Sequence, residues 1–154
     1  MASGINGVFR IMNKTVLMAI AFATMLFGTT LQGWTAGVEA RIDISAQRMT
    51  VSHHGRVLYT WPVSTARRGY ITPRGNYRPT QLHRMWYSRK YEMSPMPHSV
   101  FFRGGYAIHG TNAVKRLGTP ASHGCVRLHT ANAATFYSLV KQVGPGNTRI
   151  VVVN

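Results

Sequence analysis

The chain has 154 residues, with 18 lysines and arginines against three acids, and a formal charge of +15. The acids are Glu39, Asp43 and Glu92. They are too few for a carboxylate pair of the glycosidase kind, a calcium-binding loop or a two-magnesium phosphoryl-transfer site. The length suits one domain and the 45% hydrophobic fraction suits a folded one, while the single cysteine, Cys125, excludes an intrachain disulfide.

The first forty residues read as an export signal. Arg10 and Lys14 precede an uncharged run from Thr15 to Leu31 whose apolar heart is Val16 to Phe27. Val38 and Ala40 then supply small residues at the −3 and −1 positions of a cleavage site. The expected division is a signal peptide at 1–40 and a catalytic-sized domain at 41–154. A cut at Gly37 is the alternative, and an uncleaved membrane anchor is the bland one, although the run is shorter than a bilayer span requires. Export to an oxidising compartment leaves Cys125 without a partner in its own chain, and so a candidate reactive thiol.

Strand-like runs follow. Arg41 to Ser45 alternates, with Ile42 and Ile44 on one face, and Met49 to Ser52 comes next. His53-His54-Gly55 reads as a hairpin turn leading into Arg56 to Val63, rich in Val, Tyr, Thr and Trp. Gly69, Pro73, Gly75 and Pro79 interrupt the stretch after that. Residues 80–99, with Pro95 and Pro97, read as a long irregular loop or flap. Val100 to Arg103 and Tyr106 to His109 read as strands joined by Gly104-Gly105. The spacing of Phe136, Leu139, Val140 and Val143 predicts a helix, capped by Thr130 or Asn132 and stopped by Gly144-Pro145. Ile150 to Val153 closes the chain as a buried strand. The fold class expected is mainly β: a single β-sandwich-like domain with one principal helix.

The chemistry concentrates around Ser122-His123-Gly124-Cys125-Val126-Arg127. A glycine before a nucleophile lets the backbone turn sharply and approach a substrate, and it frees nearby N–H groups for a developing oxyanion. A thiol needs a base or a cationic setting to ionise near neutral pH. His109 and His123 are the candidate bases, and Arg127 and the overall charge would lower the thiol pKa, so the expectation is a thiolate–imidazole arrangement.

Ile108-His109-Gly110-Thr111, Gly118 and Ser122-His123-Gly124-Cys125-Val126-Arg127-Leu128 resemble the signature of the L,D-transpeptidase catalytic domain (YkuD type). Ile42 to Met49, Trp61-Pro62-Val63-Ser64-Thr65, Thr72-Pro73-Arg74-Gly75, Ser94-Pro95-Met96-Pro97 and Gly105-Tyr106-Ala107 are similar to further blocks of the same family. Ala66 departs from the glycine that members often carry there, at a place remote from the thiol in sequence. The resemblance implies Cys125 as nucleophile, His109 as general base and His123 as a residue that shapes the site. It further implies the N–H groups of Gly124 and Cys125 as oxyanion hole, and Ser122, Arg127, Gly110 and Tyr106 as substrate-binding or supporting positions. The implied substrate is a peptidoglycan stem tetrapeptide, attacked between the L-centre of its diamino acid and the terminal D-alanine. A neighbouring stem or an envelope lipoprotein is the implied acceptor, with no cofactor and no metal. Carbapenems typically acylate such cysteines. The implied location is exported, periplasmic or cell-wall associated.

Neither Asp43 nor Glu92 lies in the segments around His109 and Cys125, so a backbone carbonyl or a neutral side chain should orient His109. His53, His54, His83, His98 and His129 carry no matching motif and are taken as surface or structural. The high charge suits attraction to an anionic envelope; no nucleic-acid motif is present, and membrane contact is expected only through an uncleaved signal. Aromatics of the flap, Trp86, Tyr87 and Tyr91, are placed equally over or beneath a groove. An L,D-carboxypeptidase on the same scaffold remains the close alternative, and a zinc-binding envelope protein using His109, His123 and Cys125 the distant one.

Overall fold

A computed structural model describes residues 37–154; nearly all of the expected signal segment lies outside them. In chain order the strands are β1 (Val38–Asp43), β2 (Arg48–His53), β3 (Arg56–Pro62), β4 (Gly75–Tyr77), β5 (Gln81–Ser88), β6 (Ser94–Arg103), β7 (Tyr106–Thr111), β8 (Val126–His129) and β9 (Thr148–Val153), with one α-helix, α1 (Thr130–Val143). They form a five-stranded sheet in the order β3-β2-β1-β9-β4 and a four-stranded sheet in the order β5-β6-β7-β8. The expected mainly β domain with one principal helix is what the described residues adopt.

Local chemistry accounts for the elements. His54 (φ +49°) and Gly55 (φ +79°) form a two-residue turn with both φ angles positive, the geometry that matches the twist of the flanking strands β2 and β3. Val38, Ala40 and Ile42 alternate into the core, each fully buried, and β1 pairs with β2 on one side and β9 on the other. The strand therefore starts three residues before the expected boundary at residue 41. A cut after Ala40 would remove two core side chains and half of a strand held on both sides, whereas a cut at Gly37 leaves β1 whole.

Residues 80–99 are not irregular. They form most of a long hairpin, β5 and β6, joined by a 3₁₀ turn at Arg89–Tyr91. Pro95 and Pro97 pair with Tyr87 and Met85 of β5, while the pairing of β6 with β7 is confined to Val100–Arg103. On the side that faces β7 further along, the prolines thus sit on an overhanging edge, where no ladder is present for a missing N–H to break. His98 (φ +54°) lies where the overhang meets the paired half, its ring edge-on to Tyr137. β4 and β8 were also unforeseen, being three and four residues long.

The helix N-cap is His129, whose Nδ1 accepts the N–H of Ala131, and not Thr130 or Asn132. At the other end Gly144 (φ +89°) returns its N–H to the Val140 carbonyl. The main core draws on both sheets and the helix. Met49 and Ile150 of the first sheet, Ile108 and Leu128 of the second, and Phe136 and Val140 of α1 are all fully buried there.

Candidate active site

The site is built on the parallel pair β7 and β8, whose register sets Ile108 beside Val126, His109 beside Arg127 and Gly110 beside Leu128. Ile108, Val126 and Leu128 point into the main core. Strand alternation therefore sends His109 and Arg127 to the opposite face, where Cys125 packs on a smaller cluster of Met96, Phe101 and Ala107. His109, His123, Cys125 and Arg127 line one cleft of about 620 Å³, closed on another side by Met85, Tyr91 and Pro97 of the hairpin. Of the three aromatics placed over or beneath a groove, Tyr91 lines the cleft, and Trp86 lies edge-on to Phe101.

His109 is buried, and its Nδ1 lies 2.7 Å from the carbonyl oxygen of Gly110. A carbonyl only accepts, so Nδ1 carries the proton and Nε2 of the neutral ring keeps its lone pair. The orienting group is thus main chain, as the scarcity of acids led us to expect. Asp43 lies in the β1–β2 turn, accepting from Ser45 Oγ and the Ala46 N–H. Burial pushes the His109 pKa down to about 4, against the Gly110 hydrogen bond and with Arg127 adding to the depression.

Burial also pushes the Cys125 thiol up, and the Ala107 N–H and Arg127 only partly offset it. In place of the expected thiolate–imidazole arrangement, both groups are pushed toward their neutral forms: for the thiol desolvation outweighs the nearby positive charge, and for the imidazole the two act in the same direction. The Sγ hydrogen-bonds the Gly105 carbonyl at 3.7 Å.

The loop before Cys125 is braced from the β1–β2 and β3–β4 connections. Ser64 and Arg127 exchange both backbone hydrogen bonds, the Thr65 carbonyl accepts the N–H groups of Ala121 and Ser122, and the Arg67 N–H reaches the Ser122 carbonyl. Thr72 Oγ1 donates to the Gly124 carbonyl at 2.8 Å and accepts the Ala66 N–H. Gln47 in turn holds Thr65 through both ends of its amide. Ser64, Thr65, Thr72 and Gln47 are all buried. The sequence blocks containing them were recognised, but no role for them was. Ala66, remote from the thiol in sequence, bridges to Ser122 in space.

Ser122 is fully buried and works inside the loop: its Oγ donates to the Cys125 carbonyl at 2.6 Å and accepts the Gly124 N–H at 2.9 Å. That removes Gly124 N–H from the expected oxyanion hole, because the donor is already committed, and leaves the Cys125 N–H as the remaining candidate. Gly124 itself sits at φ +128°, and a Cβ there would lie 2.6 Å from Cε1 of Tyr106 and 2.8 Å from the Ile71 carbonyl oxygen. Tyr106 therefore acts as the wall against which the loop closes. Gly110 serves α1: a Cβ would lie 2.9 Å from the Cα of Thr130.

His123 stands at the mouth of the cleft between two tyrosines, stacked on Tyr91 (centroids 4.5 Å apart, 14° between planes) and edge-on to Tyr70 at 4.6 Å. Desolvation first, then Arg67, Arg127 and Lys90, hold its pKa below the ordinary value. Among the described residues no three His, Cys, Asp or Glu side chains are arranged to hold a metal ion.

The profile of the YkuD family, the L,D-transpeptidase catalytic domain, matches residues 38–152. The chain is 26% identical over 124 residues to the "Putative L,D-transpeptidase YkuD" of Bacillus subtilis (strain 168), covering 77% of this chain and 68% of that one. Among solved structures it is similar to an L,D-transpeptidase from Mycobacterium smegmatis (29% identity, TM-score 0.67, 77% of this chain and 59% of that one). It is also similar to the LD transpeptidase LdtMt1 in complex with imipenem (27% identity, TM-score 0.67, 76% and 59%). The chain thus spans under two thirds of the length of these two solved relatives.

Proposed function

Since the chain belongs to the YkuD family of L,D-transpeptidase catalytic domains, we propose that it is a cysteine acyltransferase that exchanges the terminal D-alanine of a peptidoglycan stem tetrapeptide for an acceptor amine. The observation that carries this reading is the pairing, in one cleft, of Cys125 with a His109 whose Nδ1 proton is pinned on Gly110.

A thiol with a raised pKa and an imidazole with a lowered one do not exchange a proton at rest. They do so when the sulfur meets a carbonyl, because the charge then moves onto the substrate oxygen. In the first half-reaction Cys125 Sγ bonds to the carbonyl carbon of the diamino acid's L-centre while its proton passes to Nε2 of His109. The oxyanion is met by backbone donors, the Cys125 N–H foremost. Collapse breaks the C–N bond, and D-alanine leaves as the amine after taking the proton back from His109. In the second half-reaction the acceptor amine attacks the thioester, loses a proton to His109 and releases the thiol. Water in place of the amine would give the carboxypeptidase outcome. Stem peptides and an envelope lipoprotein are the acceptors proposed, in a periplasmic or wall-associated setting that matches the charge of the chain.

A carbapenem tests the nucleophile, given that a relative of this fold is seen with imipenem. Intact mass spectrometry should show one drug adduct on the wild-type protein and none on Cys125→Ala. An adduct on Cys125→Ala, or none on the folded wild type, would remove the proposal.

A further inference from the structure

A second groove lies outside the catalytic cleft, between the edge strand β3 and α1. It encloses about 450 Å³ and is lined by Tyr59 of β3 and by Ala134, Thr135, Ser138, Leu139 and Gln142 of α1. Register explains why a tyrosine of the edge strand meets the helix. Tyr59 stands opposite Val51 and Trp61 opposite Met49, and both partners are fully buried in the main core. Tyr59 and Trp61 therefore share the core face of the sheet, where they stack with centroids 4.8 Å apart and 15° between planes. Because β3 is the outermost strand, no further strand covers Tyr59, which stays 39% exposed.

The chemistry of the groove differs from that of the chain around it. The chain carries +15, yet among the described residues no lysine, arginine, aspartate or glutamate lines this groove. Its lining is an aromatic ring with a hydroxyl, an aliphatic floor of Ala134 and Leu139, and a rim of hydroxyl and amide groups. Thr135 commits its hydroxyl to the Ala131 carbonyl, whereas Ser138 and Gln142 are exposed and can turn theirs to a ligand. An anionic polymer or headgroup would call for the cations that the groove lacks. A sugar ring calls for what it has: the C–H face of the ring lies on an aromatic plane, and its hydroxyls and amides exchange hydrogen bonds with neutral polar side chains.

One helix ridge joins this groove to the cleft. Thr130 lines the catalytic cleft, and Ala134, Ser138 and Gln142 follow it at i+4, i+8 and i+12 along α1. At about 1.5 Å per residue, Gln142 lies about 18 Å from Thr130 along the axis.

We infer that Tyr59, Ser138 and Gln142 form a glycan subsite, which holds an uncharged N-acetylated amino-sugar strand along α1 while a stem peptide of the same polymer occupies the cleft. The choice of polymer rests on the stem-peptide reading above; the groove itself takes a neutral oligosaccharide.

The experiment is an NMR titration of the full chain with a peptide-free tetramer of N-acetylglucosamine. Amide shifts should move at Tyr59 and along residues 134–142. Tyr59→Ala should weaken binding about tenfold and Gln142→Ala about fivefold. Both variants should still take a carbapenem on Cys125 at the wild-type rate, which shows them folded and separates the groove from the catalytic loop. Shifts confined to the cleft, no binding at millimolar tetramer, or an affinity unmoved in both variants overturns the inference. The probe carries no peptide, so those results leave the stem-peptide reading standing. A dimer in sedimentation that Tyr59→Ala dissolves would assign the groove to a second copy and overturn the inference as well. A wild type that binds the tetramer but takes no carbapenem keeps the subsite and overturns the stem-peptide reading instead.

Discussion

Replacing His109 by glutamine should flatten the acid limb of the stability curve. The unfolded imidazole takes a proton near pH 6.5, whereas the folded one resists until about pH 4. Between those values the unfolded chain binds more protons, so stability rises with pH across the window and is lost as pH falls through it. At about 1.36 kcal/mol per pH unit, the full displacement corresponds to about 3 kcal/mol by pH 4. Asp43 does not obscure this: its depressed pKa moves stability only below about 3.8. His123 titrates low as well, but it is common to both proteins and cancels in the comparison. The assay is urea denaturation of wild type and His109→Gln at intervals from pH 4 to pH 7. The wild type should lose about 3 kcal/mol more than the variant over that span. Parallel losses would refute the buried neutral imidazole, and with it the account of why the base is unprotonated at rest.

Alkylation of Cys125 by iodoacetamide should keep accelerating through and beyond pH 9, because burial raises the thiol; a rate that levels off by pH 7 would restore a resting thiolate. Gly124→Ala should cost about 1–3 kcal/mol in thermal or chemical unfolding and abolish carbapenem acylation, since a Cβ cannot fit against Tyr106 and Ile71; an active, wild-type-stable variant would contradict the geometry. If the chain is processed, mass spectrometry of the mature protein should find an N-terminus at or upstream of Val38, with the strand β1 complete; a mature chain starting at Arg41 would oppose it.

Much of the site was legible because the chemistry is packed into short motifs. Ser122 to Arg127 and His109 could be singled out from their residue types, although the strand β8 that pairs with β7 and makes them neighbours in space was not foreseen. The shortage of acids likewise pointed to a main-chain partner for His109. What could not be read was the bracing. Gln47, Ser64, Thr65 and Thr72 act through hydrogen bonds to residues some 50 or more positions away, or to one another, and a buried threonine in a sequence looks like any strand threonine. The sign of the Cys125 displacement was missed for a related reason. The positive charges are visible in the sequence, but the desolvation that outweighs them exists only once Met96, Phe101 and Ala107 have closed around the sulfur. Pro95 and Pro97 misled because proline argues against a ladder in general, and only the register shows that their strand overhangs its second neighbour.

Because the acceptor that fixes the His109 tautomer is the oxygen of the peptide joining Gly110 to Thr111, no exchange of one amino acid for another deletes it. An alanine scan would return two indispensable side chains and overlook the third member altogether. Replacing that single amide by an ester, which weakens the oxygen as an acceptor while preserving every side chain, is the way to see what it contributes.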